Sequence, residues 1–218
     1  MIKAVIFDMD GLLIDSEPFW RKAHIAILAE NGFVATEDDV RGMAGKGTSH
    51  VVEEWRQRFG WDVAKNPEIE QRIVERVHEE VKREGKEMPG VSRFIRELHA
   101  HGVPMAVASS SAPDLILAVM QRLGLRDYMK ALHSGKQEKR SKPFPDIFLS
   151  TARSLGVEPA DCLVFEDSLN GIKAAKAAGM KCIAVPEEPY DRAVFAASQP
   201  NRIVASLKEM HWSDIQRL

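Results

Sequence analysis

The apolar positions of the chain follow two regimes. Ala4 to Phe7 is a short unbroken apolar run, the pattern of a strand buried on both faces. After it the period lengthens. Phe19, Trp20, Ala23, Ala26 and Ile27 recur at helical spacing, with Ser16 as a cap, Pro18 in the first turn and Asn31-Gly32 as the stop. Val51, Trp55 and Phe59 make a second stripe. Ile69, Ile73, Val77 and Val81 make a third, which ends before Gly85. No strand is expected between Asp15 and Met88, and Met88-Pro89-Gly90 breaks the pattern as a linker. The segment from about 16 to 88 therefore reads as an all-helical insertion.

Beyond the linker, helices and strands alternate. Val91, Phe94, Ile95 and Leu98 mark a helix, and Val103 to Ala108 a strand that runs into Ser109-Ser110-Ser111. Leu115 to Leu123 marks a helix stopped by Gly124, and a polar loop is expected from Ser134 to Lys142. Ile147 to Leu155 reads as a helix and Cys162 to Phe165 as a strand ending in Glu166-Asp167. Ser168 caps a helix that ends at Gly179, and Cys182 to Val185 and Ile203-Val204 read as further strands. Such alternation predicts an α/β fold with a doubly wound, Rossmann-like parallel sheet.

Composition narrows the classes. With 30 basic and 32 acidic residues the net charge is −2, so no basic field points to nucleic acid. The two cysteines, Cys162 and Cys182, sit in apolar runs and read as small buried hydrophobes. No signal peptide and no membrane-length apolar run is apparent, so a cytoplasmic protein is expected. The seven histidines show no metal-ligand spacing.

Polar residues cluster where strands end. Asp8 and Asp10, Ser109, and Glu166-Asp167 each follow a predicted strand, the edge at which open α/β sheets bind ligands. Two aspartates at the end of a buried strand repel each other, and a hard cation such as Mg2+ would offset that cost. A pair of aspartates is also an ordinary turn cap, and alone it decides nothing.

The segments Asp8-Met9-Asp10-Gly11, Ala108-Ser109-Ser110-Ser111, Ser141-Lys142-Pro143-Phe144-Pro145-Asp146 and Phe165-Glu166-Asp167-Ser168-Leu169-Asn170-Gly171 resemble the four ordered motifs of the haloacid dehalogenase-like superfamily. The run Asp8 to Pro18 most resembles its sugar-phosphate phosphatase and β-phosphoglucomutase branch. The resemblance implies a catalytic core of residues 1–15 and 89–218 with a helical cap of residues 16–88. It implies a Mg2+-dependent phosphatase of small phosphorylated metabolites, sugar or polyol phosphates, that forms an aspartyl phosphate.

In that scheme Asp8 is the nucleophile and Asp10 the general acid and base. Mg2+ is held by Asp8, the carbonyl of Asp10 and Asp167, with Glu166 in support. Ser109 and the backbone at Ser110 and Ser111 hold phosphoryl oxygens, and Lys142 supplies positive charge. Lys136, Lys139 and Arg140 of the same loop read as solvated.

In the cap, Gly42 to Gly47 forms a glycine-rich loop without the Lys-Ser/Thr ending of a nucleotide-binding loop. Lys46 is either a substrate contact or a solvated loop lysine. Trp20 either stacks on a sugar or belongs to the core stripe, where Trp55 is placed. A monomer is expected. The alternative activity is a β-phosphoglucomutase-like mutase, but such mutases carry His five residues after the position of Asp15, where this chain has Trp20. A phospho-receiver would lack the cap and Asp10, and dehalogenation needs neither Asp10 nor the metal motif.

Overall fold

The computed structural model describes residues 1–43, 46–187 and 190–218. Six strands form one parallel sheet: β1 (Ala4–Phe7), β2 (Met105–Ser109), β3 (Ala131–Ser134), β4 (Cys162–Glu166), β5 (Lys181–Ala184) and β6 (Arg202–Ile203). Their spatial order is β3-β2-β1-β4-β5-β6. The chain builds outward from β1 on one side, then crosses to β4 and builds outward on the other. The boundary between β1 and β4 is thus the switch point where such sheets open a crevice.

Side-chain alternation explains the two layers. Val5 and Phe7 face one core, with Phe94, Leu115 and Phe165; Ala4 and Ile6 face the other, with Phe148, Val164 and Ile172. The covering helices are α5 (Val91–Ala100) and α6 (Pro113–Arg122) on the first face, and α7 (Asp146–Leu155) and α8 (Leu169–Ala177) on the second. Every residue of β1 is fully buried, at roughly 1.5–3 kcal/mol for each of Val5, Ile6 and Phe7. Phe7 stacks on Phe165 at 5.4 Å, and both meet the edge of Phe94. This aromatic trio stiffens the two strand ends that carry Asp8 and Glu166.

Between β1 and β2 lie four further helices: α1 (Glu17–Glu30), α2 (Glu37–Arg41), α3 (Thr48–Phe59) and α4 (Asn66–Glu84). Helix α4 packs on α1 and α3 and also touches α6. No described residue from 16 to 86 joins the sheet. The segment leaves and returns through two antiparallel stretches. The Asp15 N–H donates to the Lys86 carbonyl at 3.1 Å, and the Met88 N–H to the Leu13 carbonyl at 3.0 Å. Helices α9 (Arg192–Ala197) and α10 (Trp212–Gln216) complete the chain.

Several sequence expectations are corrected. Strand β3 begins inside a stretch with no apolar run; it is an edge strand and only Ser134 in it is fully buried, so it lacks a hydrophobic signature. Ser16 precedes α1 but makes no capping bond; its hydroxyl turns toward Asp10 instead. Lys136 is exposed, as expected, but it is not without partners: its ammonium pairs with Glu70 of α4 and donates to Ser49 of α3 at 2.6 Å. Arg140 lies over Phe144 at 4.5 Å and pairs with Asp146 at 2.9 Å. Ala44 and Gly45 of the glycine-rich loop lie outside the described residues. Both cysteines are buried and unpaired, as expected. No helix among the described residues is long and apolar enough to cross a membrane.

Candidate active site

Strand register assembles the site. Phe7 pairs with Val107 on one side and Phe165 on the other, which sets Asp8 level with Ala108 and Glu166. The Asp8 N–H donates to the Phe165 carbonyl at 3.0 Å, so the ladder continues under the carboxylate. Gly11 then turns the chain with φ of 74°. It has to be glycine for a second reason: a Cβ there would stand 2.5 Å from Asp167 Oδ2.

Lys142 is the cation among these carboxylates. Its side chain is 5% exposed, and Nζ donates to Asp8 Oδ1 at 2.6 Å, to Glu166, and to the Ala108 carbonyl at 3.3 Å. Burial alone would lower the Lys142 pKa, but the charges of Asp8 and Glu166 outweigh it and hold it raised, so the ammonium is permanent. Glu166 is fully buried and also accepts from the Ser168 N–H and hydroxyl, both at 3.0 Å. Its carboxylate lies against Gly171 in the first turn of α8, where any Cβ would come within 1.8 Å of it. A helix N-terminus favours that negative charge.

Charge is still crowded. Asp8, Glu166 and Asp167 bring carboxylate oxygens within 4.8 Å of one another. Burial pushes the Asp8 pKa up to about 7; Lys142 opposes the rise, while Glu166 and Asp10 add to it. Burial, and then Glu166 and Asp8, raise Asp167 well above the usual carboxylate range. One lysine does not balance three acids, and the donors are all oxygen. That set fits a hard divalent cation, which would be held by Asp8 and Asp167 with Glu166 behind them.

Asp10 has a different environment. Its Oδ1 accepts from the Ser16 hydroxyl at 2.7 Å and from Trp20 Nε1 at 3.1 Å. Its Oδ2 accepts from Ser111 at 2.7 Å and Ser109 at 3.3 Å. The Ser111 N–H in turn donates to Ser109 Oγ at 3.0 Å, and Ser134 at the end of β3 pins the Ser111 carbonyl at 2.6 Å. Asp10 therefore joins the serine loop of the sheet to the first turns of α1.

These groups line one cavity, open to solvent at its mouth. All the predicted site residues except buried Glu166 reach its wall: Asp8, Asp10, Ser109, Ser110, Ser111, Lys142 and Asp167 below, Trp20 and Lys46 above. Lys46 is not free, since its ammonium clamps both oxygens of Glu54 at 2.7 and 2.8 Å. Sequence reasoning missed Glu17, Arg21, His24 and Thr48, which line the upper wall. A signal existed: Glu17, Arg21 and His24 recur at i, i+4 and i+7, a polar face beside the apolar stripe of Phe19, Ala23 and Ile27. Burial pushes the Glu17 pKa up to about 7, helped by Asp10 and Glu187 and opposed by Arg21.

The family model of haloacid dehalogenase-like hydrolases matches residues 2–179. Hexitol phosphatase B of Escherichia coli K12 is 35% identical over 95% of this chain and 91% of its own length. The phosphorylated carbohydrates phosphatase of Thermotoga maritima is 34% identical over 84% of each chain. Among solved structures, CbbY from Rhodobacter sphaeroides in complex with xylulose-1,5-bisphosphate superposes with a TM-score of 0.83 at 26% identity, covering 96% of both chains. The order of the four motifs, the sheet that carries them and these relatives agree: the chain is a phosphatase and belongs to the haloacid dehalogenase-like hydrolases.

Proposed function

We propose that the protein hydrolyses phosphate monoesters of small carbohydrates or polyols through a phosphoryl group carried on Asp8. The observation that best supports this is the buried set of Lys142, Asp8 and Glu166 beside Asp10. Asp8 attacks phosphorus and forms the aspartyl phosphate while the P–O bond to the alcohol breaks. Asp10 gives its proton to the departing oxygen. It then takes a proton from the water that cleaves the acyl phosphate, releasing inorganic phosphate and restoring both carboxyls. The hydroxyls of Ser109 and Ser111 now lie on Asp10; phosphoryl oxygens would draw them away and free Oδ2 for the ester oxygen. Lys142 offsets negative charge on the transferring group. Mg2+, held by Asp8, the Asp10 carbonyl and Asp167, supplies Lewis-acid charge neutralisation when bound.

The helical segment 16–88 acts in this reading as a cap hinged at the paired stretches 13–15 and 86–88. Support comes from the Lys136 contacts to Ser49 and Glu70, which join it to the sheet domain. Mutase activity is disfavoured because Trp20 stands where mutases carry His. Its indole N–H is a donor only and cannot accept a proton. Phosphate release from a panel of hexose, pentose, polyol, glycolate and nucleoside monophosphates, with and without chelator, tests the proposal. Metal-dependent release from sugar or polyol esters is the expected result. Full activity after exhaustive chelation, or none on carbohydrate esters, would overturn it.

A further inference from the structure

The upper wall of the cavity differs chemically from the floor, and three observations bear on what it binds. The first is His24. It is 4% exposed and lines the cavity, and its Nδ1 is buried with no hydrogen-bond partner. Buried polar atoms are almost always partnered, so an orphan at a cavity wall marks a bond left for a ligand. Burial holds the His24 pKa down to about 4, and no carboxylate lies against it to raise it. The ring is neutral and offers one donor and one acceptor, the complement of a hydroxyl group.

The second observation concerns the cations. Arg21 faces Glu17 at 3.9 Å, and Lys46 is closed on Glu54. Each positive side chain of this wall faces a carboxylate, which leaves less positive charge there for a second anion. The third is distance. Trp20 touches Asp10, and His24 lies one turn further along α1, about 6 Å of helix rise. Thr48, buried at the start of α3, lines the same cavity.

We propose that the α1–α3 end of the cavity reads uncharged hydroxyl groups on the far end of the substrate, with His24 as its specificity-determining residue, and rejects a second phosphate. The preferred substrate is then a polyhydroxylated monophosphate rather than a bisphosphate. This rests on the phosphatase function proposed above and adds which end of the ester is recognised.

The test compares wild type, His24→Leu and His24→Gln on sorbitol 6-phosphate, fructose 1,6-bisphosphate and glycerol 3-phosphate, with thermal unfolding measured for each protein. Wild type should favour the hexitol monophosphate over the bisphosphate by about tenfold or more in kcat/KM. His24→Leu should lose about tenfold on sorbitol 6-phosphate, chiefly through KM, and less than about twofold on glycerol 3-phosphate, which is too short to reach the ring. Its melting temperature should not fall, since Leu suits an apolar setting better than an orphaned imidazole. His24→Gln, which restores a donor and an acceptor, should recover most of the loss. Equal losses on the long and short esters, no loss on either, or a wild-type preference for the bisphosphate would overturn the inference while leaving the phosphatase function standing. No phosphate release from any ester by wild type would overturn both.

Discussion

The floor and the upper wall of one cavity are built on opposite rules. On the floor, Asp8, Glu166 and Asp167 are placed by strand register, Lys142 reaches them from the loop before α7, and each acts on the others through buried charge. On the upper wall, Glu17, Trp20, Arg21 and His24 are placed by helical periodicity, and their charges are matched within the wall. In the proposed mechanism the floor meets the phosphoryl group, common to every substrate, and the wall meets whatever the phosphate is attached to. Electrostatics would then concentrate where the chemistry is invariant, and neutral hydrogen bonding where substrates differ.

The sharpest way to break this contrast is at Asp8. Asp8→Asn should cost at least about 10⁴-fold in kcat on every ester, with melting temperature held or raised because a buried carboxylate is removed. Residual turnover near the wild-type rate would remove Asp8 from the nucleophile role. Lys142→Ala should follow at roughly 10²–10³-fold, by a similar factor for all substrates. If it reshuffled the substrate ranking instead, the floor would be taking part in selection.

Metal and protons compete for the floor, and the direction can be worked out. Asp8 and Glu17 have folded pKa values near 7, above their unfolded values, so the folded protein holds protons that the unfolded chain has released. Their contribution makes metal-free stability fall as pH rises from about 4 to 7. A divalent cation replaces the protons at Asp8, so its stabilising effect should grow over the same window. At a concentration a hundredfold above Kd, Mg2+ should raise Tm by about 5–10 °C at neutral pH and by much less near pH 5. A gain independent of pH would separate metal binding from these carboxyls.

His24 titrates in the opposite sense. Its folded pKa lies below the unfolded value, so the unfolded chain takes up the proton first and stability is lost as pH falls from 6.5 toward 4. The stability difference between wild type and His24→Leu should therefore widen in favour of the variant by up to ~3 kcal/mol across that range. Denaturant unfolding at each pH measures it. The smallest effect belongs to Lys46→Ala, which should change the relative kcat/KM among esters by only about two- to fivefold, because Lys46 is already spent on Glu54. Unchanged relative rates would assign that lysine to structure alone.

Most of the floor was legible because strand ends advertise themselves. An apolar run that stops at an acid, as Phe7-Asp8 and Phe165-Glu166 do, gives both the element and the edge it faces. The wall was harder to read. Glu17, Arg21 and His24 look like the solvated side of an amphipathic helix until the opposing α3 is known, and only their proximity to Asp10 hints otherwise. Strand β3 escaped because it is an edge with a single buried residue. The partners of Ser16 and Lys136 went unseen for one shared reason: each lies outside its own element, Ser16 on Asp10 and Lys136 on α3 and α4. Local sequence does not encode such partners.

The exit at Leu13–Asp15 and the return at Lys86–Met88 are hydrogen-bonded neighbours. Everything between them is therefore a loop whose ends are already closed by the sheet side of the molecule. The entropic cost of such a loop rises only logarithmically with its length, about 0.6 kcal/mol per doubling. Descendants of this chain could exchange, lengthen or shorten the whole insert without disturbing the register that aligns Asp8 with Glu166. The join is a socket, through which a lineage can change what it recognises while inheriting the reaction intact.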